Sequence, residues 1–302
     1  MRKLFSLLLV FVMLFSIFAC NDAPPAPNDG DTTGGQEENA PTSHKANPVT
    51  DFEYSIREDQ NSIAILKYVG TSKSIVFPEK IDGLPVKVIG GDLLDSGELR
   101  PLIDSVVIPD TVEIIVDYAF AYCTNLVSVD FGENVAYIGE SAFEECTALK
   151  KIILPSKLET IGAGAFYKCS SATEIFVPKT VKEWGFDTAK GTFGNCTSLT
   201  TLSFEDGLEQ IGYWSTFMGA ELLKRVEIPA SVKKIATLAF NCCPSLTEVV
   251  FKGDVPQATQ GNVKNMFGYE GDHDNLVLCY DPTTEGWDTV VWREIHQLQP
   301  LS

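Results

Sequence analysis

The strongest constraint on this chain is a sequence pattern that returns about every 23 residues. A short apolar segment ends at Ile108, Phe131, Leu154, Val177, Phe204, Ile228 and Phe251, in steps of 23, 23, 23, 27, 24 and 23 residues. A phenylalanine follows with the same steps, at Phe120, Phe143, Phe166, Phe193, Phe217 and Phe240. Self-similarity at periods of about 20–50 residues is the signature of a solenoid, in which each repeat contacts only its neighbours. We therefore expect a stack of similar coils.

Each coil is expected to begin with a short strand. Ile152 and Leu154 alternate with Lys151 and Ile153, and successive side chains of a strand point to opposite faces. In the second half of a coil the apolar spacing is closer to that of one or two helical turns. The predicted fold is a repeat solenoid, mainly β with short helical turns. About eight coils would form a curved rod, roughly 40 Å long.

The repeat also carries a family resemblance. The motif IP-x-x-[VL]-x-x-IG-x-x-AF-x-x-C-x-x-L, over about residues 52–292, resembles the BspA-like leucine-rich repeats of surface proteins from host-associated bacteria and some protists. The resemblance implies a leucine-rich repeat fold and an adhesive role. The chain departs from the pattern at Val116-Asp117, Trp184, Trp214 and Ala220.

Composition and pattern divide the chain into five parts. Two alternating runs around a polar loop, from Phe52 to Tyr68, predict a β-hairpin that caps the first coil. Trp287 and Trp292 are expected to cover the other end. The predicted parts are a signal peptide (1–19), a lipid-anchored disordered tether (20–50), the hairpin cap with an irregular first repeat (51–102), the regular leucine-rich repeats (103–252), and an irregular last repeat with a C-terminal cap (253–302).

The N-terminus has the features of an export signal. Arg2 and Lys3 precede a short apolar run that ends at Ala19 and is followed directly by Cys20. This arrangement resembles a bacterial lipobox, so we expect lipidation of Cys20. The alternative is ordinary signal cleavage near Ala19. Lipidation would place an exported, lipid-anchored protein in the cell envelope, at the surface of the outer membrane.

The charge balance argues against several classes of partner. The chain has 23 basic and 41 acidic side chains and a net charge of −18. Removing residues 1–19, which contain Arg2 and Lys3 and no acid, leaves 21 basic and 41 acidic side chains, or −20. Such a surface repels nucleic acid and anionic membranes. We therefore expect no nucleic-acid partner, membrane contact only through the lipid anchor, and a soluble monomeric repeat region.

The residues offer little catalytic chemistry. The three histidines, His44, His273 and His296, all lie outside the regular repeats, so no histidine can pair there with a nucleophile. Asp272-His273-Asp274 could ligate a cation, but a solvated loop is the simpler interpretation. We expect no enzymatic activity, no bound metal and no cofactor.

The cysteines are expected to be packing residues. Five of them share one position of the repeat, at Cys123, Cys146, Cys169, Cys196 and Cys243. Neighbours would lie within disulfide range, but their parallel side chains disfavour bonding, and cysteine is often a small buried residue. Cys242 and Cys279 lie outside this column, and a disulfide between them is left open.

The outward strand positions contain the best candidates for ligand contact. Ile153 and Phe176 would be apolar neighbours on an exposed face, which is unusual unless something covers them. The predicted ligand-binding residues are Lys151, Ile153, Glu174, Phe176, Trp184 and Phe186. The alternative for the last two is that Trp184 replaces an inward residue equivalent to Ile161 and that Phe186 packs on its loop.

Three functions fit these features. The favoured hypothesis is a cell-surface lipoprotein that binds a protein or glycan ligand in adhesion or host interaction. The alternatives are a glycan-binding accessory of a nutrient-uptake system, with Trp184 and Trp214 as contacts, and a structural envelope protein.

The lipid anchor can be tested directly. Cys20→Ser removes the thiol that would carry the lipid, so the variant is expected to leave the membrane fraction and to change its gel mobility. A variant that stays in the membrane fraction with unchanged mobility would contradict lipidation at Cys20.

Overall fold

The computed structural model describes residues 45–90, 93–94, 97–186, 190–258, 266–267, 275–287 and 297–301. These residues form a β-solenoid of about nine turns with almost no helix. Within them, no helix is long and apolar enough to cross a membrane. Several predictions concern residues outside this set, namely those on Cys20, His44, His273, Trp292 and His296.

The described elements are mostly short strands. The strands are β1 (Phe52–Ile56), β2 (Ile63–Tyr68), β3 (Ser74–Val76), β4 (Lys80–Ile81), β5 (Leu84–Ile89), β6 (Ser105–Val107), β7 (Ile114–Ile115), β8 (Ser128–Asp130), β9 (Tyr137–Ile138), β10 (Lys151–Ile153), β11 (Thr160–Ile161), β12 (Glu174–Val177), β13 (Glu183–Trp184), β14 (Thr201–Phe204), β15 (Gln210–Trp214), β16 (Arg225–Ile228), β17 (Lys234–Thr237), β18 (Glu248–Phe251), β19 (Gln257–Ala258), β20 (Val277–Tyr280) and β21 (Gln297–Pro300). Two 3₁₀ helices are described as well, Val49–Asp51 and Arg100–Leu102.

Each regular coil contributes one strand to each of two series. The front strands pair in parallel as β3-β6-β8, β10-β12-β14 and β16-β18-β20-β21. The back strands pair as β5-β7-β9-β11-β13 and β15-β17-β19, also in parallel. The register advances by one coil at a time, as in Ile152 opposite Ile175. The solenoid prediction is confirmed.

The third part of each coil is a series of turns and not the helical turns that the spacing suggested. The amide of Phe120 donates to the carbonyl of Ala142 in the next coil, at 2.8 Å. The residues two positions before and after it, Tyr118 and Tyr122, have left-handed φ angles of 58° and 63°. Amides that donate to the neighbouring coil are not available for hydrogen bonds along a helix, so the segment cannot be helical.

The buried phenylalanines of these turns stack on one another. Neighbouring ring centroids lie 5.1–5.8 Å apart, with planes inclined by 2–17°. The stacked rings are those of Phe120, Phe143, Phe166, Phe193, Phe217, Phe240 and Phe267. Neighbouring strands of a sheet lie ~4.8 Å apart, which is also a distance at which aromatic rings can stack. One ring per coil therefore forms a continuous phenylalanine column.

The ends of the solenoid contain the elements predicted there. Strands β1 and β2 form the antiparallel hairpin, with Phe52 opposite Tyr68, and β2 pairs with β5. At the other end, the buried Trp287 ring lies 4.9 Å from Phe251 and 5.0 Å from Tyr280. The hairpin prediction is confirmed. That these elements act as caps stays a prediction.

Candidate functional site

Two front strands bring four of the predicted site residues together. Ile153 of β10 lies opposite Phe176 of β12, and Lys151 lies opposite Glu174. Ile153 is 46% exposed and Phe176 is half-buried. The Lys151 ammonium lies 2.8 Å from a Glu174 carboxylate oxygen. These four residues are called the front patch.

The strand alternation makes the front patch independent of the core. Ile152 and Ile175, between the outward residues, are fully buried and in register. The ion pair beside them is solvent-exposed, and such pairs contribute only about 0–1 kcal/mol to stability. The patch therefore combines two apolar and two charged side chains, which are not needed to hold the coils together.

Trp184 does not belong to an exposed site. It is in register with the inward Ile161 on the back strands and is only 7% exposed. Its indole nitrogen has no hydrogen-bond partner among the described residues. The alternative interpretation, in which Trp184 takes an inward repeat position, is confirmed, and its prediction as a ligand contact is wrong because the ring packs in the core.

Phe186 belongs to a different surface from the front patch. It follows back strand β13, is 53% exposed, and contacts two rings from strand β15. Its centroid lies 5.3 Å from that of Tyr213 and 6.3 Å from that of Trp214, with planes inclined by 80° and 86°. These three residues form the aromatic cluster. The structure thus separates Phe186 from Ile153 and Phe176, with which it was grouped.

The aromatic cluster is built by two departures from the repeat. In a regular coil Phe166 comes four positions after Gly162, but Phe193 comes eight after Gly185, and Phe217 comes five after Gly212. The second departure appears in β15 as a register shift between Ile211 and Trp214. The first departure is visible in the sequence as the 27-residue step of the repeat, but Tyr213 was not among the predicted site residues. The cluster could have been predicted from the sequence, because two neighbouring coils are lengthened and their extra segments contain three aromatic residues.

A shallow groove lies where β14 and β16 fail to pair. It has a volume of about 780 Å³. Its lining combines apolar and charged residues, including Leu202, Phe204, Asp206, Glu227, Pro229 and Lys252. The Glu227 carboxylate lies 2.6 Å from Arg225 and 3.6 Å from Lys252. Glu227 and Lys252 in the lining are thus paired with each other, and the groove contains none of the predicted site residues.

The five column cysteines are buried thiols without disulfides. The Sγ of Cys146 donates to the carbonyl of Phe120 at 3.2 Å, and Cys169 and Cys243 make the same contact one coil back. Burial raises the pKa of the Cys196 and Cys243 thiols to about 12, because the thiolate would lose its hydration. A protonated, enclosed thiol is a poor nucleophile and a poor metal ligand.

Outside the column, the described residues that could take part in reactive or metal chemistry are Cys279, Cys242 and the acidic side chains. Cys279 is a free thiol with its Sγ 3.6 Å from a Glu248 carboxylate oxygen, so the bridge to Cys242 that was left open is absent. In the part of the chain that the structure describes, no group of three histidine, cysteine or acidic side chains could hold a metal ion. The Asp272-His273-Asp274 loop lies outside that part.

A family model for the BspA type leucine rich repeat region matches the chain in six copies, over residues 100–189 and 186–267. These ranges contain the front patch, the aromatic cluster and the cysteine column. No curated protein sequence matches the chain.

Solved structures of bacterial leucine-rich repeat proteins are similar to the chain. The T. pallidum protein TpLRR is 27% identical, with a TM-score of 0.53, over 71% of this chain and 86% of that one. A leucine-rich repeat protein from Bacteroides ovatus is 20% identical, also with a TM-score of 0.53, over 83% of this chain and 75% of that one. The second likeness shows the fold alone.

The column thiols should resist alkylation in the folded protein even at high pH. A chain with Cys20→Ser, Cys242→Ala and Cys279→Ala keeps five of the eight cysteines, all in the column. Because burial holds their pKa far above the usual ~8.5, we expect almost no iodoacetamide labelling between pH 8 and 10. The same chain in denaturant should label at all five. Rapid native labelling that rises with pH would show that the thiols are exposed.

Proposed function

Because the chain belongs to the BspA-type leucine-rich repeat family, we propose that it is a binding module that holds a partner protein at the cell surface, in adhesion or host interaction. The observation that carries the proposal is the front patch, where the exposed Ile153 and the half-buried Phe176 are apolar neighbours on a parallel sheet. Contiguous apolar side chains on a protein surface are a feature of sites that bind a partner.

The shape and chemistry of the front patch suit a protein interface. An apolar centre beside a charged edge is the usual anatomy of such interfaces, in which a few central side chains contribute most of the affinity. Lys151 and Glu174 supply that edge. The parallel pairing of β10, β12 and β14 would hold the apolar pair in place during binding, so little conformational entropy would be lost.

The proposed setting is the cell envelope. A lipid on Cys20 would anchor the chain at the outer membrane, and the polar segment after it would hold the solenoid away from the bilayer. This segment ends before the predicted boundary at residue 50, because Asn47 accepts a hydrogen bond from the Val76 amide at 2.7 Å. The strong negative charge disfavours nucleic acid as a partner. The proposal needs no catalysis and no cofactor, and it treats the chain as a monomer.

The structure supports one of the two alternative functions, glycan binding, more than the other, a structural envelope role. A glycan-binding accessory role relied on Trp184 and Trp214; Trp184 is buried, while Trp214 belongs to the partly exposed aromatic cluster. A purely structural envelope protein would have no use for an exposed apolar pair. Glycan recognition is therefore the alternative that a specific feature favours.

A double substitution in the front patch tests the proposal. Ile153→Ser with Phe176→Ser is expected to weaken partner binding by about 1–2 kcal/mol, the scale of an interface anchor. Both side chains point away from the core, so the melting temperature should change little. Binding would be measured on an array of extracellular-matrix and other cell-surface proteins, and then by surface plasmon resonance on the proteins that bind.

Leu222→Ser is the matched control, since Leu222 is 51% exposed but lies in a turn outside the front strands. It should leave binding unchanged. If the double variant lowers the melting temperature and binds as the parent does, then Ile153 and Phe176 are packing residues and the front patch is not the site.

A further inference from the structure

The aromatic cluster has the features of a second binding site, separate from the front patch. Its three rings come from the two lengthened coils and meet at the surface. We propose that it binds an uncharged glycan, whose sugar rings pack on Phe186 and Trp214. This inference does not depend on the protein-binding role of the front patch.

The two lengthened coils add surface without altering the core. Across them, the phenylalanine column continues from Phe166 to Phe193 at 5.5 Å and 11°, and from Phe193 to Phe217 at 5.2 Å and 4°. The extra residues are thus not required for stacking, since regular coils achieve the same geometry without them. What they supply is a group of aromatic side chains, one of them more than half exposed.

The geometry of the cluster suits the C–H face of a sugar. Phe186 meets both of its neighbours nearly at right angles, so the cluster presents apolar carbon in more than one plane. One face of a pyranose ring is apolar, while its hydroxyl groups point outward and need hydrogen-bond partners. Tyr and Trp combine an apolar ring with a polar group, which suits such a mixed ligand. Gln210, half-buried on the same strand, adds an amide whose nitrogen already donates to the Gly212 carbonyl at 2.8 Å.

The charges of these coils favour an uncharged ligand. Lys182 lies 3.4 Å from Glu159, and Lys233 lies 2.9 Å from Glu209, so these side chains are already paired. The net charge of −18 repels acidic sugars such as uronates. A neutral glycan needs no unpaired lysine for binding, and the net charge of the protein does not repel it.

The openness of the surface favours a chain of sugars over a small molecule. Phe186 is 53% exposed, whereas small ligands usually bind in enclosed pockets. An open aromatic surface instead contacts successive units of an extended polymer, as aromatic platforms do for stacked bases.

The test uses the full chain and defined hexasaccharides. The neutral probes are the hexamers of β-1,4-glucose, α-1,4-glucose, β-1,4-mannose and β-1,4-xylose, and the acidic probe is hexagalacturonate. Isothermal titration calorimetry gives affinities, and tryptophan fluorescence reports on Trp214. We expect at least one neutral probe to bind and to change the fluorescence, and the acidic probe not to bind.

Substitutions locate the binding. Phe186→Ala and Trp214→Ala should each weaken binding of the neutral probe by at least about tenfold, the scale of an anchor residue. Trp214→Phe should keep most of the affinity but lose the fluorescence change. Ile153→Ser with Phe176→Ser should bind the sugar as the parent does. Because Phe186 is exposed, its substitution should not alter the melting curve.

The proposal would be overturned by the absence of binding by every neutral probe at millimolar concentration, by equal binding by the parent and both alanine variants, or by binding by the acidic probe alone. Loss of protein-partner binding in Phe186→Ala, with no sugar bound by the parent, would also reject it and assign the cluster to a protein interface. Loss of sugar binding in the front-patch variant alone would place the sugar elsewhere.

Discussion

The structure depends on one phenylalanine per coil that contacts its neighbours through both its ring and its backbone. The Phe143 ring stacks on those of Phe120 and Phe166 at 5.1 Å, and its amide donates 2.7 Å to the carbonyl of Ala165 in the next coil. Ring stacking and this hydrogen bond act along the same axis, so each coil satisfies its neighbour's polar groups while it buries its own ring. A single coil could do neither alone.

This arrangement explains where a binding function can be placed. Inward residues such as Ile152 are fixed by stacking, whereas outward residues such as Ile153 can change without affecting the fold. Residues can also be added between a back strand and the column, because the rings beyond the insertion still stack. Variation at outward strand positions produces the front patch, and insertion between a back strand and the column produces the aromatic cluster. Both proposed sites therefore consist of residues that the repeat does not fix, because only the inward residues must be the same in every coil.

Much of the fold and of the front patch could be predicted from the sequence, because residues that are one repeat apart in a solenoid lie side by side in space. The 23-residue step placed Ile153 beside Phe176 and Lys151 beside Glu174, as the register confirms. Two features could not be predicted in this way. The turns resemble helix in spacing, but their amides bond between coils, and spacing within one coil does not reveal that. Phe186 has no equivalent in a regular coil, so the repeat could not predict that it meets Tyr213.

The central claim is that the phenylalanine column couples neighbouring coils, and hydrogen exchange of Phe166→Ala tests it most directly. Truncating a buried phenylalanine costs about 3–5 kcal/mol. If the column couples the coils, amides of β10 and β12 should exchange about a hundredfold faster or more in the variant, as should the Phe143 amide, while those of the distant β2 and β5 change less. Faster exchange confined to the turn around residue 166, with β10 and β12 unchanged, would show that each coil is held by its strands alone and would contradict the account.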